Sequence, residues 1–250
     1  MPPRPAPFEI LSGIHCVTEA LRAGRRKIFE IYTAKPLPEA IAAAAGAKGI
    51  PVVQKSKEAL EKLAGSAQHQ QVAARVAPFE LSDFRGMLQK QADPAFPPFF
   101  LILDSIMDPG NLGALVRTAV CAGISGIIVP RDRSAPLTPA VSRASAGAME
   151  HCAICRVTNL AAAIRELKKS GIWITGLDRK GHLSVYDADM TGACAIVVGG
   201  EHTGIRRLVA ESCDNLCHIP QIGPVNSLNA SAAGAIAIYE AFRQRSGGRQ

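Results

Sequence analysis

Arg117 follows Gly113 by four residues, in the stretch NLGALVRTA, whose other members are mostly small or apolar. Residues four apart share one face of a helix, and helical side chains lean toward the N-terminus. Arg117 is therefore expected to lie back over Gly113 and hold its guanidinium near the preceding turn. That turn reads Asp108-Pro-Gly-Asn, a loop signal with Asn111 as the expected N-cap. An arginine on so apolar a helix calls for an anion or a carboxylate to meet. Two later stretches repeat the outline of strand, glycine turn and helix: IVVGGEHTGI (196–205) and IPQIGPVNSLNASAAGAIAIYEAF (219–242). They bring Glu201, then Ser227 and Asn229. Glycine turns let a ligand approach the main chain closely. Three such loops at the carboxyl ends of strands describe one shared ligand pocket, equipped with fixed positive charge and hydrogen-bonding groups.

A dinucleotide fingerprint does not fit. Gly110 and Gly113 give Gly-x-x-Gly, not Gly-x-Gly-x-x-Gly, and Asp132 sits between arginines in PRDRS, a solvated loop. Zinc fits no better. Cys152-x-x-Cys155 lies in CAICRV, which reads as a buried strand, where residues three apart point to opposite faces. A metal is not expected, and the seven cysteines read as buried thiols without disulfides.

The elements that must carry these loops are legible. From residue 12 to about 79 the chain alternates: a helix over SGIHCVTEALRAG, a strand over KIFEIYTA, a helix over LPEAIAAAAGA, a strand over IPVVQ, a helix over SKEALEKLAG capped by Ser56, and a strand over QVAARVAPF. Residues 80–97 carry two prolines, with a third following at Pro98, and mixed polarity, and read as a linker with one or two amphipathic turns. From Pro98 to residue 250 short apolar strands alternate with helices, which implies a mostly parallel sheet covered on both faces. The expected class is α/β, with a small N-terminal domain (1–79) and a larger C-terminal one (98–250). The first ten residues, with four prolines, read as a loose tail.

The net charge is +7, and residues 1–90 carry 13 Lys/Arg against 8 Asp/Glu. A basic excess favours nucleic acid through phosphate neutralisation, although solubility alone explains +7 equally well. Arg22, Arg25, Arg26 and Lys27 cluster at a helix–strand junction suited to phosphates, and His69 and Gln70 lie in a polar turn suited to bases. No apolar run reaches the length of a membrane helix and the start lacks a secretory pattern, so the expected compartment is the cytoplasm.

NLGALVRTA, VVGGEHTGI and IPQIGPVNSLNASAAGAIAIYEA resemble, in order, the three motifs of the SpoU family of the SPOUT RNA methyltransferases. GIHCVTEALRAGRRKIFEIY and HQQVAARV resemble that family's RNA-binding extension, so the resemblance spans nearly the whole chain. It implies a deep trefoil knot in the C-terminal domain, a rare exception to unknotted topology. It implies S-adenosylmethionine as methyl donor, bound near Gly199, Ile219 and Leu228, and a homodimer with RNA as substrate. The implied reaction methylates a ribose 2′-hydroxyl, most closely a guanosine of large-subunit ribosomal RNA. Transfer RNA is the alternative substrate, and a non-catalytic RNA-binding or ribosome-assembly protein is the rival class. Gly200 and Ala230 depart mildly from the pattern and leave the polar set intact.

The difficulty of that reaction is the nucleophile, because a ribose hydroxyl is a very weak acid. Arginine keeps its proton below about pH 12, so Arg117 is expected to stabilise the developing oxyanion rather than act as a base. Asn111 would position the ribose or Arg117, Glu201 would fix the loop or orient Arg117, and Ser227 and Asn229 would shape the cofactor loop.

Overall fold

The computed structural model describes residues 8–89, 97–201, 203–225 and 227–246. The first seven residues and the stretch 90–96 of the expected linker lie outside the described residues. In chain order the first elements are β1 (Glu9–Ser12), α1 (Ile14–Ala23), β2 (Ile28–Thr33), α2 (Glu39–Ala47), β3 (Val52–Gln54), α3 (Lys57–Ala64), β4 (Val72–Val76) and α4 (Phe84–Gln89). There follow β5 (Phe99–Asp104), α5 (Pro109–Cys121), β6 (Gly126–Pro130), α6 (Pro139–Ala144), a 3-10 turn (Ala148–His151), β7 (Ile154–Val157) and α7 (Leu160–Lys169). The chain continues through β8 (Trp173–Leu177), β9 (Leu183–Ser184), β10 (Cys194–Gly199), α8 (Arg207–Ala210), β11 (Asn215–His218) and α9 (Ala230–Ser246).

Local chemistry sets many of the boundaries. Ser56 caps α3, its side chain accepting from the Ala59 N–H at 3.2 Å, and Asn159 caps α7 through Ala162 N–H at 3.1 Å. Gly24 ends α1 in the left-handed region at φ 62°, which glycine adopts without steric cost.

Two compact units result. The first holds residues up to Glu80 together with Pro136–His151, and the second holds Leu81–Ala135 and everything from Cys152 onward. This differs from a continuous division at residue 98, because α6 and the 3-10 turn interrupt the second unit in sequence and pack with the first.

The first unit is a four-stranded sheet in the order β1-β4-β2-β3, antiparallel except for the β2–β3 pair. Residues 9 and 10, expected in a loose tail, instead open an edge strand: Glu9–Ser12 pairs with β4. Val17 and Leu21 of α1 lie one turn apart and bury against Leu11, Ile31, Val72 and Val76.

Arg26 corrects the reading of the basic cluster. Its side chain is 2% exposed and is held by Glu150 through two hydrogen bonds of 2.8 and 2.9 Å, and by Glu9 at 2.6 Å. The ring of Phe79 lies 5.0 Å from the guanidinium carbon. Ser142 completes the network by donating to Glu150 at 3.0 Å. A group so enclosed is a structural cation, not a contact for RNA. His69 is also turned inward at 1% exposure, its Nδ1 accepting from the Gln71 N–H at 3.0 Å. The Gln70 side-chain oxygen, Oε1, accepts from the first N–H of α1 at 2.9 Å.

The second unit is a seven-stranded sheet in the order β7-β6-β5-β10-β8-β11-β9, with every pair parallel. All six residues of β5, FFLILD, are buried, because helices cover both faces of the sheet. Helices α5 and α9 pack together, and a Cβ on Gly234 would fall 2.3 Å from Leu115 Cδ2. Cys152 precedes β7 instead of lying within it, and both it and Cys155 are buried. No three His, Cys, Asp or Glu side chains among the described residues gather as a metal site.

Candidate active site

The carboxyl ends of β5, β10 and β11 carry the three loops singled out in the sequence. After β5 the chain turns through Ser105, which takes the left-handed region at φ 66°, and enters α5 at Pro109. Asp108 is the N-cap: its carboxylate accepts from the Asn111 N–H at 2.7 Å. Asn111 was expected to be the cap and instead lies inside the first turn. Its side chain is thereby left to reach across the fold.

That side chain joins a triangle with two distant residues. The Asn111 amide donates to Glu201 Oε1, in the loop after β10. Asn229 Nδ2 donates to the same oxygen at 2.7 Å and to Asn111 Oδ1 at 3.0 Å. The Asn229 carbonyl oxygen faces the other way and caps α9, accepting from the N–H groups of Ser231 and Ala232 at 2.9 and 3.2 Å and from the Ser231 hydroxyl at 2.6 Å. Both ends of one amide are thus used, which fixes its orientation and ties α9 to α5 and to the loop after β10.

The glycines of the second motif permit this closeness. A Cβ on Gly199 would lie 2.1 Å from the Gly204 carbonyl carbon, and one on Gly200 would lie 2.4 Å from the Ser105 oxygen. The loop folds back on itself, with Gly200 bridged to Gly204.

Two adjoining cavities open here. The first is walled by Gly199, Ile219, Ser227 and Leu228 among others, so the structure brings together all three expected cofactor residues and Ser227. The second is walled by Asn111, Arg133, Thr203 and Arg206, with Ile106 and Met107 supplying apolar surface. Gly200, Glu201 and Ala230 belong to both.

Arg117 does not join the cluster. It is exposed, has no hydrogen bond or ion pair with a described residue, and is absent from the walls of both cavities. Gly113 beneath it is buried. Arg133, Arg179 and Arg206 line the cavities instead, and the sequence reading passed over Arg206. It is anchored by Asp104, a fully buried carboxylate, through its main-chain N–H at 2.8 Å and its Nε at 2.7 Å. The signal was present in the sequence: a lone acid closing an otherwise apolar strand needs a buried partner.

A parallel α/β unit whose three glycine loops converge on paired cavities, with a small α/β unit before it in sequence, is the arrangement that the resemblance to the SpoU family implied. Residues 98–239 match the SpoU rRNA Methylase family, and residues 10–82 match the RNA 2′-O ribose methyltransferase substrate-binding family. The chain belongs to the SpoU rRNA methylase family. It is 40% identical over 244 residues to the 23S rRNA (guanosine-2′-O-)-methyltransferase RlmB of Vibrio vulnificus, covering 95% of this chain and 97% of that one. It is 42% identical over 241 residues to a putative TrmH family tRNA/rRNA methyltransferase of Staphylococcus aureus, covering 94% and 96%. Its structure is similar to the AdoMet-bound rRNA methyltransferase of Sinorhizobium meliloti, with a TM-score of 0.79, 27% identity and coverage of 95% and 87%.

Proposed function

We propose that this protein transfers a methyl group from S-adenosylmethionine to the 2′-hydroxyl of a guanosine in large-subunit ribosomal RNA. The observation that carries the reading is the Asn111–Glu201–Asn229 triangle between the two cavities, in a chain that matches a guanosine-2′-O-methyltransferase along nearly its full length. The likeness to a tRNA/rRNA methyltransferase keeps transfer RNA as the alternative substrate.

The first cavity suits the donor. Apolar Leu177, Val198, Ile219 and Leu228 offer surface to an adenine, and the glycines expose main-chain groups for its edge. When bound, S-adenosylmethionine supplies an electrophilic methyl group on a neutral leaving group, so no metal is required for departure. Gly199, Ile219 and Leu228 hold the cofactor, and Ser227 shapes its loop. Asn111 and Glu201, on the wall of the second cavity, position the ribose. Asn229 keeps both in register. Arg117 stabilises negative charge developing on the 2′-oxygen. As it stands exposed, it reaches that oxygen in a homodimer in which a second protomer completes the site. The first unit binds RNA, and the second forms the methyltransferase domain, with its C-terminal segment threaded as a trefoil knot. The proposed compartment is the cytoplasm.

The test is methylation of total RNA by the full chain with labelled S-adenosylmethionine, in buffer with and without EDTA, followed by mapping of the labelled ribose. Label at a guanosine of large-subunit RNA, unaffected by chelator, is expected. Label confined to transfer RNA would replace the substrate, and absence of label would remove the activity.

A further inference from the structure

The second cavity holds a feature that ribose methylation alone does not require. Its volume is about 450 Å³, within the range of small-ligand sites and large enough for a whole nucleoside. Its walls carry two guanidiniums, from Arg133 and Arg206. Arg206 is unusually well fixed. Its Nε and main-chain N–H both bind Asp104, which is fully buried, and the side chain remains 35% exposed. With Nε committed, the two terminal amino groups have no acceptor among the described residues. The guanidinium plane is thus set in advance, with a planar pair of donors left over. Ile106 and Met107 both line the cavity; Met107, 63% exposed, supplies the open apolar surface, and Ile106, 2% exposed, backs it. A flexible thioether of this kind packs well on an aromatic face.

A planar two-donor fork complements two acceptors side by side. Of the two purines, guanine presents O6 and N7 in that arrangement, whereas adenine replaces O6 with an amino donor. We propose that the second cavity is a base subsite in which Arg206, oriented by Asp104, reads the O6/N7 edge of the target guanine. The base lies on Met107, backed by Ile106, and the ribose of the same nucleotide is directed toward Asn111 and Glu201. Arg206 is a specificity-determining residue and takes no part in the chemical step. The inference rests on the guanosine 2′-O-methylation reading and adds the residue that selects the base.

The test uses single-atom changes in the RNA, so it does not depend on a variant that folds. Ribosomal RNA transcripts are made with guanosine, 7-deazaguanosine or adenosine at the mapped target. Wild-type protein should lose on the order of tenfold to a hundredfold in kcat/KM when N7 is removed, the usual worth of a bidentate base contact, and more with adenosine. Arg206→Lys keeps a charge beside Asp104 but loses the fork. It should methylate the guanosine transcript as poorly as wild type methylates the 7-deaza one, and lose nothing further on the 7-deaza transcript. Its S-adenosylmethionine affinity should be unchanged. Equal wild-type rates on the guanosine and 7-deaza transcripts would overturn the proposal. So would an Arg206→Lys defect of equal size on both, which would make Arg206 a phosphate contact instead. If wild type methylates no guanosine transcript, the underlying activity has failed, and this inference with it.

Discussion

Arg26 and Glu150, 124 residues apart in sequence, meet side-on inside the first unit, with Nε–Oε2 at 2.8 Å and Nη2–Oε1 at 2.9 Å and both side chains at most 2% exposed. Two parallel hydrogen bonds between a guanidinium and a carboxylate are the strongest geometry such a pair can take. Through this contact the segment Pro136–His151, distant in sequence, becomes part of the first unit's core.

Removing one partner leaves the other charge buried and unpaired. Arg26→Ala or Glu150→Ala is expected to lower folding stability by about 3–5 kcal/mol, measured by urea denaturation. Replacing both with apolar residues of similar volume should cost much less. The salt dependence of RNA binding should not change through loss of a phosphate contact, because Arg26 makes none. A single variant as stable as wild type would show that the pair is not enclosed in solution.

Asn229 has two tasks that different substitutions separate. Asn229→Ala removes the cap of α9 and should cost about 1 kcal/mol in stability. Asn229→Asp keeps a capping oxygen but sets an acceptor against Glu201 Oε1, where an N–H now lies at 2.7 Å. It should therefore hold α9 better than alanine does while losing at least as much single-turnover methylation. Retained activity in Asn229→Asp would mean that the triangle does not position the ribose.

Arg117→Ala tests the step at the 2′-oxygen. Single-turnover methylation at saturating RNA and cofactor is expected to fall about 10²–10³-fold, with S-adenosylmethionine affinity unaltered. Stability should barely change, since the side chain is exposed and makes no contact with a described residue. A near-normal rate in the folded variant would assign the oxyanion to another group.

The thiols should divide sharply. Burial pushes Cys155 and Cys213 up to about 12 and Cys194 up to about 11, so none of these is nucleophilic near neutrality. Cys121 is exposed. Titration with a chromogenic disulfide at pH 8 should show one fast thiol in the native protein and all seven in denaturant. Cys121→Ser should abolish the fast phase.

The sequence by itself determined what local forces decide. The helices of the first 80 residues, the Ser56 cap, the parallel strand–helix rhythm after Pro98 and the three glycine loops were all legible, because periodicity, capping and turn chemistry act within a few residues. Asn111, Glu201, Ser227 and Asn229 could be picked out as polar groups standing in small-residue loops. What the tertiary structure alone decided depends on contacts at long separation. That Asn111 reaches Glu201 instead of capping α5 turned on Asp108, three residues earlier, and on a partner 90 residues later. Arg25 and Arg26 look alike in sequence. Only the arrival of Glu150 makes Arg26 a core residue, because a charge can be buried only where its counter-charge is delivered. Arg206 became a fixed fork for the same reason: Asp104, 102 residues before it, is held at the end of a fully buried strand with no other described cation to meet.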